Sequence, residues 1–463
     1  MKDPEPELKE GAGKGAYPQK VLSVYDIVVI TIGVVVGAGI FGLPGLVALF
    51  TQDPVLYLGL WVVGAAVVLV GALTYTELGS TFPSAGGEYT FLREAYGELF
   101  SFLFNWARTS IIQTASIVIM AYLLARYLQE IVNLGQFGES IYAAITVLIM
   151  VGVNLAGIRQ STSFQKLVQS ILVLGLVMVG LLLLVGPGNP QPMDPQASLP
   201  PVDWMLALVF VLYVYGGWNE AAYITAESRT GPKGILRGFM VSVAVLAGLY
   251  LLINFGLLQS LGLGGLIGNN TPIAAGLSNV FGESGVFIAT TLLAIAALTT
   301  INVTIFTGAR AVYALGNNLP KLKNFGLWQA QRDNPFNAIL LIGAVALVWI
   351  GAVAITGVDG FEQMIDVTLP IFWFFILMTG ISLFVLRAKQ PNIERPFKVP
   401  LYPVVPLLFC ATCGFMLWRS TDYALTRTDF GKWGLVVVAL GIPLYFLFRG
   451  NSTKSDIDLS LKE

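Results

Sequence analysis

Glycine recurs at positions 33, 37, 39, 42 and 45 of one apolar run, with Pro44 among them, and as the pair Gly216–Gly217 of another. Glycine inside a helix costs about 1 kcal/mol relative to alanine, so such clusters predict backbone that unwinds rather than helix that continues. Unwinding around Gly37–Gly39 would free the N–H groups of Ala38, Gly39, Ile40 and Phe41 at the start of a half-helix, where the positive end of the helix dipole reinforces them. That is a place for a carboxylate. In the second run, the half ending before Gly216 would present the carbonyls of Tyr213, Val214 and Tyr215, which suit an ammonium group. A donor nest facing an acceptor cluster fits an α-amino acid zwitterion and needs no buried arginine.

Other candidates compete with plainer roles. Gly37-Ala-Gly-Ile-Phe-Gly42 satisfies the dinucleotide fingerprint, but a long apolar span precedes it and Val62 stands near the place of the acidic ribose ligand. We read it as a decoy. An ionised carboxylate is costly at membrane depth. Glu220, just past the second glycine cluster, is therefore the acid most suggestive of function. Glu77 and Glu227 fall near helix ends, where ion pairs with residues such as Arg310 could form gates, and Asp366 is expected on a solvated face. Asn219 could bind substrate or cap the second half-helix, and Trp218 is expected to pack. The chain has no histidine, which excludes imidazole metal sites and histidine-based triads. Cys410 and Cys413 lie in an apolar run that lacks the context of a redox motif.

The elements that must position these residues are membrane helices. Of 463 residues 56% are hydrophobic and 11% charged, with a mean hydropathy of +0.75. A soluble domain carries about 25% charged residues. The net charge of −1 offers no basic field for nucleic acid. A span needs about 20 apolar residues, and twelve runs qualify: 21–50, 55–78, 99–128, 140–158, 164–186, 203–226, 235–258, 285–315, 337–356, 363–386, 401–418 and 433–448. The first and sixth contain the glycine clusters and are expected to be broken, the pattern of a transporter site built on repeats. Residues 1–20 mix Lys2, Lys9, Lys14 and Lys20 with four acids, which reads as a solvated tail and not as a signal peptide. With the N-terminus cytoplasmic, only Arg126, Arg419, Arg427 and Lys432 of the 26 Lys and Arg fall outside, Arg108 being placed at a cytoplasmic helix end.

Several stretches together resemble the amino acid–polyamine–organocation (APC) superfamily, in particular its bacterial L-type amino acid transporter (LAT-like) branch. They are Gly37-Ala-Gly-Ile-Phe41, Tyr215-Gly-Gly-Trp-Asn219, Glu77-Leu-Gly with Pro83-Ser-Ala-Gly-Gly-Glu-Tyr89, Pro232-Lys-Gly-Ile-Leu-Arg-Gly238, Phe306-Thr-Gly-Ala-Arg310 and Arg395-Pro-Phe-Lys-Val-Pro-Leu-Tyr-Pro403. The resemblance implies an all-α membrane protein of twelve transmembrane helices: a LeuT-type five-plus-five inverted repeat, with helices 1 and 6 discontinuous and two C-terminal helices. Its parts would be a tail at 1–20, repeats at 21–186 and 203–386, helices 11–12 at 401–448 and a tail at 449–463. It assigns Gly37, Ala38, Gly39 and Ile40 to the substrate carboxylate, carbonyls near Tyr213 to the ammonium, and the Tyr213 ring to a lid; Gly216 lies at the break between these and Asn219. Sodium-coupled members hold a cation where this chain has Gly33 and Val36 carbonyls and the hydroxyls of Thr300, Thr304 and Thr307, although threonine in a helix commonly bonds its own backbone. Many relatives carry a lysine seven residues after the glutamine matching Gln165; here that position is Leu172, which leaves coupling open.

The reading is an amino acid transporter of the cytoplasmic membrane, working by alternating access, with exchange and neutral L-amino acids favoured because Glu220 is the one candidate anion near the site. Proton- or sodium-coupled symport, a cationic amino acid or polyamine cargo, and an intramembrane carboxylate enzyme using Glu77, Glu220 or Asp366 are the alternatives. No cofactor is implied, and no accessory subunit is inferable. Both termini are expected in the cytoplasm. Single cysteines at Ser198 and Asn270, with Cys410 and Cys413 replaced, should therefore react with impermeant reagents outside intact cells. Protection at both positions would reverse the topology.

Overall fold

Ser23 starts the first helix, α1 (Val24–Val35), through a reciprocal cap: its Oγ accepts the Asp26 N–H at 3.3 Å, and Asp26 Oδ2 accepts the Ser23 N–H at 2.9 Å. In this computed structural model the described residues are 23–37, 39–84, 86–157, 162–194, 198–220, 229–329, 334–357, 359–427 and 430–449. Ala38, Glu227, the Gln165 side chain and the two expected tails lie outside them.

The helix ends at Val35 and Val36 is extended (φ −73°, ψ 90°), after which α2 (Gly39–Gly42) and α3 (Pro44–Thr51) complete the first segment. There follow α4 (Pro54–Thr81), α5 (Glu88–Tyr96), α6 (Glu98–Ala107), a π-helical turn at Arg108–Ile112 and α7 (Gln113–Ile131). Next come α8 (Gly138–Leu155), α9 (Thr162–Val185) and α10 (Trp204–Val214), which stops at the second break. Beyond it lie α11 (Gly231–Leu266), α12 (Pro272–Phe281), α13 (Glu283–Asn318), α14 (Phe336–Thr356), α15 (Gly360–Lys389), α16 (Val404–Arg427) and α17 (Phe430–Arg449).

Among the described residues ten helices are long and apolar enough to span a bilayer. They take the places of ten of the twelve expected runs. The other two are the interrupted first and sixth segments, the sixth being described only as far as Glu220. Large apolar side chains such as Leu148, Leu174, Val348 and Phe446 are exposed along these helices, as lipid-facing surface must be. The chain is a multi-pass integral membrane protein. Three features depart from the sequence reading. The amphipathic α5, which buries Phe91, Leu92 and Ala95, and the ten-residue α12 are too short to register as spans. The third segment, expected as plain helix, carries the π turn.

One buried ion pair ties the far ends of the chain together. Glu77, expected to pair with Arg310, instead receives Arg387 Nε and Nη2 at 2.8 and 2.6 Å and the Val399 N–H at 2.6 Å, with Arg395 Nε at 3.7 Å. Arg310 lies over the Phe306 ring at 4.2 Å. The reason is topological: α4 packs against the end of α15 and the loop after it, which brings both arginines to the acid. Glu77 is buried, and removing one partner of a buried pair costs about 3–5 kcal/mol. Glu77→Ala should therefore lower the thermal unfolding temperature of the purified protein by many degrees, far more than Glu94→Ala at an exposed pair. Equal shifts would show that the pair contributes nothing special.

Candidate functional site

The two breaks meet. A Cβ at Gly39 would lie 2.9 Å from Val214 Cα, so only glycine allows α2 to approach the end of α10 this closely. Gly217 turns the chain with φ +96°, a conformation side chains resist, and a Cβ there would lie 3.1 Å from the Val34 side chain. The Tyr250 hydroxyl, from α11, spans the junction: it lies 3.2 Å from Val35 O and 3.3 Å from Val214 O, the last carbonyls before each break. The Tyr250 ring packs with Trp61 and Tyr215 at centroid distances of 5.7 and 5.0 Å.

These breaks wall a cavity of about 390 Å³. From the first segment it takes Val29, Ile30, Gly33, Val34, Gly37 and Gly39 but nothing from α3, so it lies on the α1 side of the break. The opposite side is shut. Tyr127 Oη donates to Phe41 O at 3.1 Å, Gly268 N–H to Gly45 O at 3.1 Å, and Arg126 pairs with Asp359. Among the described residues, these contacts close the cavity on the α3 side of the break.

Gly37, Gly39, Tyr213, Val214, Gly216, Asn219 and Glu220 all line it, as do Leu172, Thr300 and Thr304. The first backbone bond of α2 runs from Leu43 N–H to Gly39 O at 2.9 Å, so the N–H groups of Gly39, Ile40 and Phe41 precede any helical acceptor in their own turn. On the other side, Tyr213 O accepts Gly216 N–H at 2.9 Å and Val214 O faces Tyr250, each carbonyl keeping a second lone pair. Two expected site residues turn their side chains elsewhere. Ile40 is fully buried outside the cavity lining, and Tyr215 is fully buried with its hydroxyl on Trp61 O at 3.0 Å. Neither lines the cavity in this structure. Asn219 Nδ2 donates to Glu88 Oε1 at 3.2 Å.

The cation candidates divide. Thr304 donates its hydroxyl to Thr300 O at 2.8 Å and Thr307 to Thr304 O at 3.4 Å, the helix-internal use of threonine. Gly33 lines the cavity beneath the Gln169 side chain, whereas Val36 is buried outside the lining.

Sequence reasoning missed several polar lining residues. Arg108, counted as a cytoplasmic helix end, is buried in the cavity wall and donates Nη2 to both Glu220 oxygens at 2.9 and 3.1 Å. The π turn holds it, and the Ser110 carbonyl that the turn displaces is taken by Trp349 Nε1 at 2.9 Å. Glu88 lies at the wall behind Asn219; Gln113 and Ser116 face the cavity from α7, Gln113 with Nε2 on Thr307 at 3.3 Å. A charge ten residues inside an apolar span was the available signal for Arg108. Asp366, expected to be solvated, is 2% exposed, because α15 turns that face inward.

A Cβ at Gly37 meets nothing closer than Val35 O at 4.0 Å, whereas one at Gly39 would strike backbone. Gly37→Val should therefore give a monodisperse protein that has lost substrate binding at least tenfold, while Gly39→Val also loses stability. Retained affinity in Gly37→Val would remove the first break from the site.

The family profile described as "Amino acid permease" matches residues 22–441. Among curated proteins, the chain is 24% identical to the serine/threonine exchanger SteT of Bacillus subtilis, covering 92% of this chain and 96% of that one. It is 26% identical to the b(0,+)-type amino acid transporter 1 of Homo sapiens (96% and 91% covered) and 27% identical to the large neutral amino acids transporter small subunit 2 of Mus musculus (96% and 83%). With the profile running through nearly every membrane helix and both breaks, the chain belongs to the amino acid permease family of the APC superfamily.

Proposed function

We propose that this protein moves L-amino acids, neutral ones foremost, across the cytoplasmic membrane by alternating access, as an exchanger with both termini in the cytoplasm. One observation carries the reading: an N–H-rich helix start at Gly39 and a carbonyl-rich helix end at Val214 face one cavity, which suits both ends of a zwitterion. The names of the relatives, exchangers and amino acid transporters, agree with it. Gly37, Gly39 and Ile40 would bind the carboxylate through their backbones, with the adjoining Ala38; Tyr213 and Val214 carbonyls would take the ammonium, and the half-buried Tyr213 ring would cover the bound molecule.

Pairing of Glu220 with Arg108 favours uncharged side chains, since the anion is already compensated. Glu77 and Glu220 hold separate arginines and so form no carboxylate pair for an enzyme. Leu172 is 2% exposed where the family resemblance points to an ammonium, and the nearby threonine hydroxyls serve their own helix. Both facts favour exchange without a metal cation.

The test is uptake into proteoliposomes preloaded with each of the twenty amino acids. We expect saturable, stereoselective uptake that is accelerated several-fold by a neutral amino acid inside and unchanged when choline replaces sodium. Uptake of none, or an absolute sodium requirement abolished by Thr304→Val, would contradict the reading.

A further inference from the structure

Three ionisable side chains in the cavity wall have no part in holding the zwitterion. Arg108 and Glu220 form one ion pair, and Glu88 stands beside them. Glu88 is 3% exposed, and its Oε1 accepts both Tyr75 Oη at 2.5 Å and Asn219 Nδ2 at 3.2 Å. Among the described residues, the charged and polar groups facing it include Tyr75 on α4, Arg108 on the π turn, and Asn219 and Glu220 after the second break. Thr379 and Cys413 stand behind Tyr75.

Among the described residues two carboxylates share this one guanidinium, so ionising both places like charges together in a largely buried site. Water in the open cavity screens those charges. Closing the cavity on its α1 side expels the water, and the cost of the charge then rises. A proton removes that cost. Burial pushes the Glu88 carboxyl up to about 7; the Tyr75 hydroxyl opposes this, Glu220 adds to it, and Arg108 and Asn219 also oppose it.

We propose that Glu88 is a proton-binding site of the transport cycle, protonated as the cavity closes on its α1 side and deprotonated as it reopens. The proposal rests on the transporter reading. Asn219 carries the state of Glu88 to the second break. Its Oδ1 is buried without a hydrogen-bond partner among the described residues, while its Nδ2 serves the carboxylate. A protonated Glu88 has an O–H to donate. Rotation of the Asn219 amide supplies the acceptor and turns its N–H group away from the acid.

Two readouts test this. The first is infrared titration of the purified protein in lipid, following the C=O stretch of protonated carboxyls; it needs no substrate. A band should disappear with a midpoint near 7 in the wild type and be missing from Glu88→Gln. Tyr75→Phe, which removes a donor to the carboxylate, should move that midpoint to higher pH. The second is uptake of labelled L-serine and L-leucine with equal pH on both faces. Between about pH 6 and pH 8 the protonated fraction falls about tenfold, and wild-type uptake should fall with it while Glu88→Gln stays flat. Absence of the band, or its persistence in Glu88→Gln, would overturn the site. A matching pH profile in Glu88→Gln and wild type would overturn its link to transport. Failure of both proteins to move either amino acid, with the titration intact, would instead refute the transporter reading beneath the link.

Discussion

Everything at the centre of this protein depends on two interrupted helices touching backbone to backbone. An interruption inside a membrane leaves N–H and C=O groups that lipid cannot satisfy, so it persists only where protein or cavity water meets it. Here the breaks satisfy the condition jointly. Gly39 lets α2 come against Val214, Gly217 turns the chain beside Val34, and Tyr250 joins the last carbonyls of α1 and α10. Gly37, Gly39, Tyr213 and Val214 line one cavity, and in the proposed function this leftover polarity would make a recognition site in an apolar bundle. The Trp61, Tyr215 and Tyr250 rings behind the junction give it a rigid floor.

Closure on one side follows from the same geometry. α3 continues the first segment beyond the break into contacts with Asn269 and Gly268, while α1 borders open cavity. A molecule held at the break therefore touches both the packed and the open half of one segment. In the proposed cycle, tilting α1 relative to α3 would change access without dismantling the site. The closed side combines polar cross-links, Tyr127 to Phe41 and Arg126 to Asp359, with ring packing of Phe41 on Tyr127.

What could be read from the residues was mostly backbone. Glycine clusters state where helices fail, hydropathy states where they run, and the two together located both breaks within a residue or two. Side-chain direction was not legible in the same way. Tyr213 and Tyr215 are two positions apart on one helix end, yet one faces the cavity and the other the aromatic floor. Arg108 was misplaced because charge counting treats every cation near a helix end as solvated, and only tertiary structure supplies the Glu220 partner 112 residues away. Tyr250 and Glu88 gave no local signal at all. A tyrosine in an apolar span and a glutamate opening a short amphipathic helix are ordinary until α11 and α5 are packed against the breaks.

The central claim is that the backbone of the two breaks binds both charged ends of an amino acid. It is tested most directly by equilibrium binding to the purified wild-type protein of the preferred amino acid, its methyl ester and its N-acetyl derivative. Each derivative removes one charge and leaves the side chain intact. The account predicts that both bind at least tenfold more weakly than the parent. If either derivative binds as tightly as the parent, the corresponding half-helix end does not recognise substrate and the account is wrong.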